Sequence, residues 1–192
     1  MNTQKGMPRP ISTALMLVFT ALAIFLHLFK YPYPLASFLK YDLSEVPLAV
    51  LILLDFKLGL AAQPIFWLGL ALLTDDPTKV IGPTMKLLAE LSTVIPLLFT
   101  VKRLKTENAL ALRHVAVATV LAVICRVAVM TLMNYLVIPY WALWAGWVKN
   151  IEQGYYMALA VLPHIVLFNA TVALYVVPLT LISWRIAKKL LM

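Results

Sequence analysis

Residues 112–138 read LRHVAVATVLAVICRVAVMTLMNYLVI, and this stretch decides the fold. It is apolar almost throughout and exceeds the roughly 20 residues that a helix needs to cross a hydrocarbon core about 30 Å thick. The same signal recurs at 11–29, 84–101 and 157–184. Two shorter apolar runs, 46–56 and 58–74, flank the break at Asp55 and Lys57. Of the 192 residues, 63% are hydrophobic and 12% charged, and the mean hydropathy is +0.92. Soluble domains run about 45–50% apolar and about 25% charged. A soluble enzyme, a disordered chain and a fibrous repeat are therefore excluded. The expected fold is an all-α membrane protein, a six-transmembrane-helix bundle forming one integral domain over residues 1–192.

The net charge of +8 is explained by topology. Six spans place both termini on one side, and basic residues mark that side as cytoplasmic. Lys5, Arg9, Lys57, Lys102, Arg103, Lys105, Arg113, Arg185, Lys188 and Lys189 fall on the inner side. Lys30, Lys40, Lys79, Lys86 and Lys149 fall on the outer side, with the acids Asp42, Glu45, Asp75, Asp76 and Glu152. The charge thus suits anionic lipid headgroups. Nucleic acid is not an expected partner, because there is no soluble basic domain to present it. The first run, 11–29, is longer than a signal-peptide core, and no small-x-small site follows before Lys30. It is read as a mature helix.

Several chemistries lack their residues. There is no G-x-x-x-x-G-K-[ST] phosphate loop, no H-E-x-x-H zinc helix and no G-x-S-x-G nucleophile elbow. Cys125 is the single cysteine, and His27, His114 and His164 are far apart. No catalytic residue, metal ligand or cofactor is assigned, and no internal repeat of the carrier type is present. A small binding or accessory subunit fits better than a self-sufficient pump or an enzyme.

Polar residues inside apolar helices need partners, because an unmet polar group in hydrocarbon costs several kcal/mol by order of magnitude. Asn134 and Asn169 each offer two donors and an acceptor, which suits either a ligand edge or an interhelical hydrogen bond. His164 points about 140° away from Asn169 and reads as a packing histidine. Lys86 and Glu90 share a helix face at i, i+4, lining a polar cavity or pairing with each other. Arg126 lies about halfway along its helix, where a charge is most costly. A structural role suits it, with Glu90, a backbone carbonyl or a ligand as acceptor. Asp55 and Lys57 read as solvated turn charges. Trp141, Trp144, Trp147, Tyr155 and Tyr156 read as interfacial anchors, some of them free to stack on a ligand. Gly59, Ala61, Ala62, Gly69 and Ala71 allow close helix packing. Prolines 32 and 34 favour an extended path ahead of the polar cluster Lys40 to Glu45. Asp42 or Ser44 is expected to cap the following helix.

Four phrases together carry a likeness: FLKYDLSEVP at 38–47, IGPTMKLLAELSTVIP at 81–96, MTLMNYLVIPYW at 130–141 and FNATVALY at 168–175. In order and spacing they resemble the substrate-binding S component of energy-coupling-factor (ECF) transporters, in particular the riboflavin-specific family. The resemblance implies capture of riboflavin, as transported ligand, near the outer face of the cell membrane of a prokaryote. It implies that the segment after the first helix closes over the vitamin, and that the whole subunit reorients in the membrane to release it. A transmembrane coupling subunit and two ATP-hydrolysing subunits are the implied partners. The implied contacts are Leu39, Lys40, Tyr41 and Asp42, then Asn134 and Tyr135, then Asn169, with Lys86 and Glu90 added from their helix face. Three positions depart from the family's phrases. Val172 stands where the family has lysine, Lys86 adds a lysine to the fourth helix, and Leu167 replaces a frequent proline. These departures leave another flavin or aromatic vitamin as the alternative cargo. A small intramembrane enzyme using Glu90, Arg126 and His164, and a purely structural subunit, are the alternatives of a different class.

Asn134→Leu is expected to weaken riboflavin binding much more than Asn150→Leu in the outer loop. Flavin-fluorescence titration of both variants checks this, and equal affinity would remove Asn134 from the site.

Overall fold

The computed structural model of the chain describes residues 9–74, 79–103 and 112–191. Lys5, Asp75, Asp76 and Lys105, which entered the charge balance, lie outside the described residues. The elements in order are α1 (Arg9–His27), β1 (Tyr31–Tyr33), β2 (Ala36–Tyr41), α2 (Glu45–Leu54), α3 (Phe56–Leu72), α4 (Ile81–Arg103), α5 (Leu112–Trp144) and α6 (Ile151–Leu191). Stretches within α1, α4, α5 and α6 are long and apolar enough to cross a membrane, and α2 and α3 are shorter apolar helices. The chain is a multi-pass membrane protein built on helices.

The helices overrun the apolar stretches that announce them. α5 continues through Pro139 to Trp144, and α6 begins at Ile151 and runs 41 residues past Pro163 and Pro178. At about 1.5 Å per residue α6 is roughly 60 Å long, about twice a hydrocarbon core. Hydropathy marks where lipid would begin, whereas backbone hydrogen bonding decides where a helix stops. Between α2 and α3, Asp55 adopts an extended conformation, and its carboxylate accepts from the N–H groups of Lys57 and Leu58. It is a helix N-cap rather than a free turn charge, because it satisfies two of the orphan donors of the first turn. Ser44 occupies the N-cap position of α2 but makes no capping bond. Its N–H and hydroxyl both donate to Asp42 Oδ1, so the expected cap is replaced by a tight polar turn.

The all-helical expectation needs one addition, a two-stranded antiparallel hairpin. β1 and β2 pair Tyr31 with Tyr41 and Pro32 with Lys40, and the register shifts before Tyr33 meets Ala36. An isolated hairpin is marginal in water. Here Tyr33 and Ala36 are buried against Phe168, Val172 and Val176 of α6, so packing holds it.

Helix α5 packs most extensively on α6 and next on α4. One face of α5 is buried at four-residue spacing: Ala118, Ala122, Arg126, Met130, Asn134, Ile138 and Ala142. Close approach depends on two glycines. A Cβ at Gly59 would lie 2.6 Å from Ile52 Cα, and one at Gly154 would lie 2.7 Å from the Pro139 carbonyl oxygen. Gly69 faces only the flexible tip of Ile24, and Gly82 faces open space.

Gly59→Ala and Gly154→Ala are each expected to destabilise the fold by roughly 1–3 kcal/mol, the usual cost of overpacking. Gly82→Ala should be neutral or slightly stabilising. Thermal unfolding of the three detergent-solubilised variants checks the contrast.

Candidate functional site

A cavity of about 470 Å³ lies between the hairpin and the helices. Small-molecule pockets typically span roughly 300–1,000 Å³. Phe38, Leu39 and Lys40 of β2 form one wall. Leu70 and Leu73 come from the end of α3, and Met85, Lys86 and Ala89 from α4. Helix α5 supplies Arg126, Met130, Asn134, Val137, Ile138 and Trp141, and α6 supplies Phe168, Asn169, Val172 and Tyr175. Most of this surface is apolar or aromatic, with polar groups at a few fixed points.

The first fixed point is Arg126, which is 2% exposed. Its Nη1 and Nη2 donate to the two oxygens of Glu45 at 2.5 and 2.9 Å. Nη1 also donates to Thr93 Oγ1 at 2.9 Å, and Nε to Asn169 Oδ1 at 3.0 Å. The two-pronged carboxylate contact is the strong geometry for arginine. It gathers α2, α4, α5 and α6 around one charge. Glu45 sits in the first turn of α2, where a negative charge also suits the helix dipole.

The second fixed point is Asp42, between the hairpin and α2. Its Oδ2 accepts from His27 Nδ1 at 2.9 Å and from Lys86 Nζ, and its Oδ1 accepts from Ser44. Tyr175 Oη donates to its backbone carbonyl at 2.9 Å. Burial pushes toward the neutral acid, but the His27 hydrogen bond, the Lys86 charge and the Ser44 bond together outweigh it. The carboxyl is held well below the usual carboxylate range and stays ionised at physiological pH. One side chain thereby ties the hairpin's exit to α1 and α4.

The amides are partly used. Asn134 donates to the Met130 carbonyl at 2.7 Å, and Asn169 donates to the Ile165 carbonyl at 2.9 Å. Each NH₂ group carries two donors, so each retains one further N–H. A planar guest with donors and acceptors along its edge would find complementary groups here, between aromatic and aliphatic walls.

Of the residues picked out from sequence, Leu39, Lys40, Asp42, Lys86, Asn134 and Asn169 line the cavity. Three stand away from it. Tyr41 stacks on Phe168 at 4.7 Å between ring centroids, wedged between the hairpin and α6. Tyr135 packs on Tyr155 at 5.5 Å. Glu90 is fully buried and accepts from Gln63 Nε2 at 2.7 Å. The expected Lys86–Glu90 face is therefore divided, since each residue finds its partner on another element. Arg126 likewise takes Glu45 as its acceptor rather than Glu90. His164 tilts against the ring of Tyr33, a packing role. Trp141 belongs to the cavity and meets Phe38 edge-on at 5.8 Å, whereas Trp144, Trp147 and Tyr156 are exposed.

His27, Phe38 and Phe168 line the cavity without having been singled out from sequence, and Arg126, Glu45 and Trp141, read there as structural, capping or interfacial residues with a ligand as the lesser option, line it as well. A signal existed for Arg126, because it lies eight residues before Asn134 and so on the same helix face. No local pattern joins His27 to Asp42 or Glu45 to Arg126.

Arg126→Met alone is expected to cost roughly 3–5 kcal/mol, because it leaves Glu45 buried without its counter-charge. Combining it with Glu45→Gln should recover a large part of that loss. A double-mutant cycle on thermal unfolding measures the coupling.

Among known proteins, no family model matches the chain and no curated protein is significantly similar to it in sequence. Among solved structures, the chain is similar to the S component of a bacterial ECF transporter. The TM-score is 0.69 at 19% identity, covering 96% of this chain and 99% of that one. The two proteins share a fold over almost their whole length.

Proposed function

We propose that the chain is the substrate-capture subunit of an ECF-type vitamin importer and that riboflavin is its cargo. The observation that carries this reading is the cavity walled by the hairpin, lined by Asn134 and Asn169 among aromatic and aliphatic side chains. The shared fold with an ECF S component supports the class of protein. The resemblance of the four sequence phrases supports the vitamin. The two acids of the cavity, Asp42 and Glu45, are already paired with Lys86 and Arg126, which suits an uncharged heteroaromatic guest.

In this reading the six helices all count as spans, the termini are cytoplasmic, and the site opens near the outer face of a prokaryotic cell membrane. A transmembrane coupling subunit and two ATP-hydrolysing subunits supply the energy, because this sequence has no phosphate loop of its own. The hairpin admits and retains the ligand, anchored through Asp42 on one side and Tyr33 on the other.

A second cargo within the same class is favoured by two observations. Val172 presents an apolar surface where the resembled family has lysine, and the Lys86 ammonium is held by Asp42. Another flavin or aromatic vitamin fits those walls. The catalytic alternative loses its basis, because only Arg126 of Glu90, Arg126 and His164 lines the cavity.

Titration of the purified protein with riboflavin is expected to quench flavin fluorescence with saturation at or below micromolar concentration. Mass spectrometry of any co-purifying small molecule tests the cargo independently. Absence of quenching together with a different co-purified vitamin would replace riboflavin, and absence of any bound small molecule would count against substrate capture.

A further inference from the structure

Glu90 and Gln63 form a buried pair that the binding site does not use. Glu90 is 0% exposed and Gln63 is 4% exposed. Gln63 Nε2 donates to Glu90 Oε1 at 2.7 Å. The other oxygen of each side chain, Glu90 Oε2 and Gln63 Oε1, is buried with no partner among the described residues. Both orphans are acceptors, so neither can satisfy the other as long as Glu90 is a carboxylate.

The charged groups that face Glu90 are Glu45 from α2, Lys86 from its own helix and Arg126 from α5. The two cations are already bonded elsewhere, Lys86 to Asp42 and Arg126 to Glu45. A carboxylate at Glu90 would then be a buried charge with no dedicated counter-charge, repelled by Glu45. That is among the most costly arrangements in a protein interior.

One proton removes every difficulty. Placed on Glu90 Oε2, it turns an orphan acceptor into a donor. The acid O–H then donates to Gln63 Oε1 while the amide N–H donates to Glu90 Oε1. Both orphans are satisfied in one reciprocal ring, and no charge is left. We propose that Glu90 is a proton-binding site, a neutral carboxylic acid that closes a two-hydrogen-bond clasp with Gln63 between α3 and α4. The clasp sits on the same two helices that bring Leu70, Leu73, Met85 and Lys86 to the cavity. Loss of the proton would break one bond of the clasp and leave a buried charge that Glu45 repels, loosening that wall.

Infrared spectroscopy of the full chain in detergent or nanodiscs at neutral pH tests the proposal. The wild type is expected to show a protonated-carboxyl C=O band that shifts in deuterated water. Glu90→Gln, in which an amide replaces the neutral acid as donor and acceptor, should abolish the band and leave the thermal midpoint close to wild type. Asp42→Asn should leave the band unchanged. If Glu90→Gln does not accumulate as folded protein, Gln63→Leu serves instead. The band should persist there at a shifted position, because the acid has lost its amide partner. A wild-type spectrum without such a band, or a band unmoved in both Glu90→Gln and Gln63→Leu, would overturn the assignment.

Discussion

A guanidinium buried in the middle of a membrane helix must be surrounded by acceptors, and the rest of this structure is arranged around that requirement. Arg126 meets it with Glu45, Thr93 and Asn169. These acceptors come from three helices other than its own, so the ion pair locates the first turn of α2 against α4, α5 and α6. Breaking such a pair on one side only leaves an uncompensated charge, which is strongly destabilising even though the intact pair's net contribution to stability is modest. Arg126, Glu45 and Asn169 also line the cavity.

Three residues before Glu45, Asp42 repeats the device on the other side of the hairpin's exit. It gathers His27 from α1 and Lys86 from α4. Two charge clusters thus follow the hairpin directly, and its aromatic face rests on α6 through Tyr33 and Tyr41. Its backbone pairing alone would not hold it. Because Asp42 and Glu45 are paired with Lys86 and Arg126, the rest of the cavity surface is amide, aromatic and aliphatic, with Lys40 on the β2 wall.

The helices, their order and their membrane character were legible in the sequence, because a run of apolar residues has few alternatives once water is excluded. Individual site residues were legible where a polar residue interrupts such a run. Asn134 and Asn169 stood out for that reason, and both line the cavity. Lys86 stood out too, but its partner did not. The i, i+4 rule pointed to Glu90, whereas Asp42 lies 44 residues away and captures the ammonium. Tyr41 and Tyr135 neighbour cavity residues in sequence, but their rings are taken up by Phe168 and Tyr155 instead.

The sequence by itself determined a membrane bundle, an extended segment after the first helix and a small set of polar residues in need of partners. Each of those follows from local composition and from the cost of exposing a polar backbone to hydrocarbon. Only the tertiary structure decided which polar groups meet. The pairs Glu45–Arg126, Asp42–Lys86 and Gln63–Glu90 join residues from different helices or from the hairpin exit. Their distances are set by helix packing, which no spacing along the chain encodes.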